Sequence, residues 1–190
     1  NQQWNNTFGQ KNSSETLYQF LSPIKQSPDG GYAIASSINF NETNTNSDIW
    51  FIKTNEYGQE QWNKTFGGPW DDSAYSLSVS YDNGYVLAGK YTESCSSGTD
   101  GAAFILKTDN EGNQKWMKVF PSSTLYSVQQ TSDGGYVAAG VKNENAWLVK
   151  LAGDGKDAES EDGKDTESEN CEDTESENCE DTESEDGKDT

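Results

Sequence analysis

Asp133-Gly134-Gly135-Tyr136-Val137-Ala138-Ala139-Gly140 recurs in recognisable form at Asp29-Gly30-Gly31-Tyr32-Ala33-Ile34-Ala35-Ser36 and at Asp82-Asn83-Gly84-Tyr85-Val86-Leu87-Ala88-Gly89. Asp-Gly-Gly and Asp-Asn-Gly supply the positive φ values of a tight hairpin turn, and Tyr followed by aliphatic residues is strand composition. Each copy predicts one hairpin. Three copies predict a repeating all-β unit.

Three further sets of segments repeat around these hairpins. Trp4-Asn5-Asn6-Thr7-Phe8-Gly9, Trp62-Asn63-Lys64-Thr65-Phe66-Gly67 and Trp116-Met117-Lys118-Val119-Phe120 form one set. Ile49-Trp50-Phe51-Ile52-Lys53-Thr54, Ala103-Phe104-Ile105-Leu106-Lys107-Thr108 and Ala146-Trp147-Leu148-Val149-Lys150-Leu151 form another. A lead-in element at 21–26, 75–79 and 125–130 completes the unit, with Pro23 and Pro28 flanking the first of them. Four short strands in about fifty residues is the period of propeller blades and not of helical repeats. Nothing from 1 to 153 keeps helical spacing.

The middle unit carries the fullest pattern: Trp62-Asn63-Lys64-Thr65-Phe66-Gly67-Gly68, then Asp71-Asp72 and Tyr75-Ser76, then Asp82-Asn83-Gly84-Tyr85, then Phe104 to Asp109 and Gly112 before Trp116. It resembles the DGGY-type β-propeller repeats of secreted and surface proteins of bacteria and archaea. The first unit has Asn12-Ser13-Ser14-Glu15 in place of the Asp-Asp pair, and the third is shortened to Pro121-Ser122-Ser123-Thr124. The resemblance implies an extracellular or cell-surface setting and a scaffold or adhesion role, not an enzyme. The expected fold is all-β: a β-propeller-like array of three four-stranded antiparallel blades (about 4–61, 62–115 and 116–153) within a domain of 1–153. An acidic octapeptide-repeat tail, 154–190, comes after it.

Three Trp strands precede three hairpins, and no fourth Trp strand follows Leu151. Closed propellers take about four to eight blades. Either chains join as arcs, with the Trp4 strand of one completing the last blade of another, or the chain is an open arc capped by its tail. Self-association is the preferred reading, because an uncapped blade exposes apolar faces and unpaired edges.

The formal net charge of −20 is concentrated in the tail, where 154–190 holds 18 acids and 3 lysines, a net of −15. No basic stripe exists to release phosphate counterions, so no nucleic-acid partner is expected. The chain has no His, which removes Ser-His-Asp and Cys-His machinery and His-ligated zinc. No apolar run is long enough to span a membrane as a helix. The tail repeats DGKDAESE, DGKDTESE, NCEDTESE and NCEDTESE with no aromatic or branched aliphatic residue, so by itself it cannot offset the entropy of ordering.

The tail carboxylates Asp154, Asp157, Asp162, Asp165, Asp173 and Asp181 are candidate ligands for Ca²⁺, the one cofactor this composition suggests, although their spacing is not that of an EF-hand. The plainer reading is a solvated spacer. Cys171 and Cys179 are candidates for disulfides between chains; Cys95 makes the count odd. Asn5, Asn12, Asn41 and Asn63 head glycosylation sequons. Trp70-Asp71-Asp72 is a candidate ligand site, an indole on which a sugar could stack beside acids that accept its hydroxyls. The alternative is a turn held by its own carboxylates. The long insertions at 39–47 and 92–100 fall on one face of the array, where repeat proteins bind. Trp4, Trp62 and Trp116, and Tyr32, Tyr85 and Tyr136, recur at the unit period and are expected to pack between blades. Lys53, Lys107 and Lys150 are expected to be solvated strand ends.

The functional expectation is a non-catalytic, self-associating structural or adhesion module. A lectin-like protein using the long loops, or a calcium-responsive surface protein using the tail, are the alternatives.

Overall fold

The computed structural model describes residues 3–8, 23–38, 46–68, 70–92 and 101–156. Eleven strands form three antiparallel sheets, and the described residues contain no helix. Sheet 1 holds β1 (Ile24–Gln26), β2 (Tyr32–Ile38), β3 (Asp48–Thr54) and β4 (Glu60–Phe66) in that order. Sheet 2 repeats the meander with β5 (Ser73–Val79), β6 (Tyr85–Tyr91), β7 (Ala102–Thr108) and β8 (Gln114–Phe120). Sheet 3 holds β9 (Ser123–Gln130), β10 (Tyr136–Lys142) and β11 (Asn145–Leu151).

The Asp-Gly-Gly and Asp-Asn-Gly turns open each sheet as their chemistry requires. Gly30, Asn83 and Gly134 have φ of 85°, 63° and 84°, the left-handed region that Gly and Asn tolerate. The Asp before each accepts a hydrogen bond from the amide two residues on: Gly31 N to Asp29 Oδ1 at 3.0 Å, Gly84 N to Asp82 Oδ1 at 3.1 Å and Gly135 N to Asp133 Oδ1 at 3.1 Å. Such Asx turns fix register before any packing is made.

Sheet 3 has three strands where the repeat predicts four. A Trp strand supplies the last strand of sheets 1 and 2: β4 pairs with β3 and β8 with β7. The Trp strand that opens a unit in sequence thus closes the preceding sheet in space, and among the described residues none follows β11. The lead-in expected at 21–26 is seen only as Ile24–Gln26, residues 21 and 22 lying outside the described set.

Strand alternation gives every sheet two apolar faces. Ala33, Ala35, Ile49 and Phe51 of sheet 1 meet Leu77, Tyr85, Leu87, Phe104 and Leu106 of sheet 2 in one core. Val86, Ala88, Ala103 and Ile105 on the other face of sheet 2 meet Leu125, Val128, Tyr136, Ala138 and Leu151 of sheet 3 in a second. A third, smaller cluster lies on the free face of sheet 1, where Phe8 packs on Ile38, Trp50 and Ile52.

Candidate functional site

The two internal junctions are built alike. Trp62 lies 6.1 Å from Tyr85 of the next sheet, and Trp116 lies 5.6 Å from Tyr136, both edge to face. Each indole covers a glycine of the following turn, Gly112 under Trp62 and Gly155 under Trp116, where a Cβ would strike the ring. The tyrosine hydroxyl is hydrogen-bonded back across the junction, Tyr85 to Ser27 at 2.9 Å and Tyr136 to Ser80. Burial raises both phenols, Tyr136 to about 12.

Trp4 repeats this geometry on sheet 1 with no sheet in front of it among the described residues. Its ring is 5.7 Å from Tyr32 and covers Gly58, and Asn6 Nδ2 donates to Tyr57 O at 3.0 Å. Residues 4–8 therefore stand where the last strand of a preceding sheet would stand. At the opposite end, Val137, Ala139, Ala146 and Leu148 occupy positions that are buried in sheets 1 and 2. Here Ala139 and Ala146 are exposed, and Leu148 is 70% exposed.

The lysines correct the expectation of solvated ends. Lys53 Nζ donates to Asp29 Oδ2 at 2.7 Å, to Thr54 O at 2.7 Å and to Gln61 Oε1 at 2.8 Å, and is only 3% exposed. Lys107 repeats it with Asp82 at 2.9 Å and Thr108 O at 2.7 Å, also at 3%. Despite the opposing pull of burial, hydrogen bonds from Ser80, Lys107 and Lys115 hold Asp82 well below the usual carboxylate range. Lys150 meets Asp133 at 2.7 Å but is half-exposed, because its sheet lacks the fourth strand. The last glycine of each turn leaves room for this cation: a Cβ on Gly31, Gly84 or Gly135 would strike the lysine Nζ and the neighbouring strand carbonyl.

In the loop at 70–72, Trp70 is half-buried, Asp71 exposed and Asp72 fully buried. Asp72 Oδ2 accepts from Gly68 N at 2.7 Å and Oδ1 from Thr92 N at 3.0 Å, while Ser47 N and Oγ donate to Asp71 Oδ1 at 2.7 and 3.0 Å. These carboxylates staple three loops together. Burial, with the neighbouring charges of Asp48 and Asp71, pushes Asp72 up to about 6.

A second feature lies on the same rim, between sheets 2 and 3. Tyr75 and Tyr126 stack at 5.7 Å and 25°, and they line a cavity of about 430 Å³ with Lys90, Thr124, Asn143 and Glu144. Tyr126 is exposed. Both tyrosines stand seven residues before the Asp of their turn, which marks them as equivalent positions, but spacing does not show that they stack, since each is the extra residue of a bulge in its strand.

Of the remaining candidates, Asn5 is exposed, and Asn63 is exposed while accepting from Trp50 Nε1 at 3.3 Å. Asn12 and Asn41 lie outside the described residues, as do Cys95, Cys171, Cys179, Asp157, Asp162, Asp165, Asp173 and Asp181. Asp154 is described and ion-paired with Lys156 at 3.3 Å. Among the described residues no group of three or more His, Cys, Asp or Glu is set to hold a metal ion, and no helix is long and apolar enough to cross a membrane. No protein-family model matches the chain, and no curated protein matches it at a significant level.

Proposed function

We propose that this chain is a non-catalytic scaffold of the β-propeller-repeat type, displayed at the cell surface or outside the cell, that works by associating with further copies of itself. The observation that carries this reading is the repeated junction. The Trp, Tyr and Gly contact made inside the chain twice is made a third time by Trp4 with no sheet in front of it. Among the described residues, sheet 3 meanwhile leaves apolar side chains and a strand edge uncovered. Exposed edges and faces of this kind are stable when another chain covers them. Sedimentation of the full chain tests it: a mass above one chain supports the scaffold, and a single-chain mass at every concentration removes it.

One observation favours a second reading, a glycan-binding cleft. The Tyr75 and Tyr126 rings, with hydroxyl, amide and charged groups around them, suit stacking and hydrogen bonding to a sugar. On a glycan array, a hit abolished by Tyr126→Ala would support it, and absence of any hit at high protein concentration would remove it.

A further inference from the structure

We infer that residues 4–8 of one copy add as the fourth strand of sheet 3 in a second copy. Trp4 is set opposite Lys150, Asn5 opposite Val149, Asn6 opposite Leu148, Thr7 opposite Trp147 and Phe8 opposite Ala146. This rests on the self-association reading and names its contact.

The register follows from the chain's own precedents. In sheet 1 Lys53 is opposite Trp62, Ile52 opposite Asn63, Phe51 opposite Lys64, Trp50 opposite Thr65 and Ile49 opposite Phe66. In sheet 2 Lys107 is opposite Trp116 and Ala103 opposite Phe120. Lys150 aligns with Lys53 and Lys107 through its Asp partner and through its place opposite the residue after the turn tyrosine. Only one edge strand is without its Trp strand, and only one Trp strand stands outside a sheet among the described residues.

Side-chain chemistry selects the same pairing. Where the third strand carries Trp50, its partner strand carries Asn63, whose side chain accepts from the indole N–H. Where the third strand carries Phe104, which has no N–H, the partner carries Met117, packed on the same core. Sheet 3 carries Trp147, and the free segment carries Asn5. The first copy then brings its sheet 1 against Val137, Ala139 and Leu148 of the second. It sets Ile24, 56% exposed, where Leu77 and Val128 are buried at the internal junctions. Tyr32 of that copy comes within reach of Thr131, as Tyr85 reaches Ser27.

The two ends differ, so the contact is head to tail, and such contacts form rings when the rotation closes. Two copies give six sheets, within the range of about four to eight that closed rings take.

The edge also supplies a clean test. β10 and β11 join through the two-residue turn Asn143-Glu144, whose closing pair, Lys142 with Asn145, exchanges its bonds inward. By alternation Ala146, Leu148 and Lys150 turn their amides away from β10. Leu148→Pro therefore removes an outward N–H while sparing the β10 ladder. We expect the full chain to sediment with the mass of two copies and Leu148→Pro with the mass of one, at unchanged circular dichroism. In a chain with Cys95, Cys171 and Cys179 replaced by Ser, Asn5→Cys with Val149→Cys should form a disulfide between chains, seen on non-reducing gels. If the mass is two copies but Leu148→Pro leaves it intact and no disulfide forms, association stands and this strand exchange is wrong. A disulfide within one chain also overturns it. If the wild type is a single chain, both readings fall together. Should Leu148→Pro not fold, the cysteine pair decides alone.

Discussion

Asp72 is a carboxylate taken out of water and given two backbone N–H donors in exchange. Because burial raises its pKa to about 6 from 3.8, the folded chain holds this proton more tightly than the unfolded chain does. The stability it contributes is present below 3.8 and is lost as pH rises through about 6. In urea titrations, the stability of wild type relative to Asp72→Asn should fall across that window, groups that do not interact with Asp72 cancelling in the difference. A flat difference would mean that the carboxylate is not desolvated. Lys53 and Lys107 show the opposite solution at the same scale. Each is a cation sunk below its strand end and matched by an Asp of the turn and a carbonyl of its own strand. The lysine arrangement was not legible from residue type, since Phe-Ile-Lys-Thr reads as a strand ending in a solvated charge; Asp-Asp in a Gly-rich loop reads as a turn held by its own carboxylates or as a ligand site, without showing that Asp72 is buried.

At the level of strands, the hairpins were legible because positive φ leaves its mark on sequence as Gly or Asn, and β2, β6 and β10 begin at the expected tyrosines. The absence of helical periodicity and the recurrence of aromatic positions likewise foretold an all-β chain with rings between sheets. Which sheet a Trp strand joins was not legible. Pairing is a relation between segments, and a unit written from Trp to Lys has the same spelling wherever its first strand hydrogen-bonds. The two cleft tyrosines recur at the same place in their units, but their stacking was hidden for a related reason, since bulges follow from pairing and not from composition. The junction predicts its own energetics. Trp62 touches Phe51 at 5.2 Å and Tyr85 at 6.1 Å and covers Gly112, so Trp62→Ala should cost about 3–5 kcal/mol by leaving a cavity between two sheets. Chemical denaturation measures this. A loss under about 1 kcal/mol would show that the sheets are held chiefly by their aliphatic faces.

For the molecule as a whole, the turn after β11 matters most. Ala152 N donates to Lys156 O at 2.8 Å, and Gly155 sits under Trp116, as Gly112 sits under Trp62. The chain thus turns back at Lys156 as it does before β4 and β8, yet it continues with Asp157, Ala158 and Glu159 where the other units carry a Trp strand. Acid in place of an indole is poorly suited to pack between sheets, and among the described residues no strand pairs with the outer edge of β11. It also means that each meeting of copies brings together chains of net charge −20, of which −15 belongs to 154–190. Repulsion between them is screened as ionic strength rises, the Debye length being about 10 Å at 0.1 M and about 3 Å at 1 M. Assembly should therefore tighten with added sodium chloride and should lose most of that dependence when 157–190 is removed, as dissociation constants from sedimentation at a series of salt concentrations will show. On the proposed self-association, the appendage would act as a dial by which the ionic environment sets how many chains are joined.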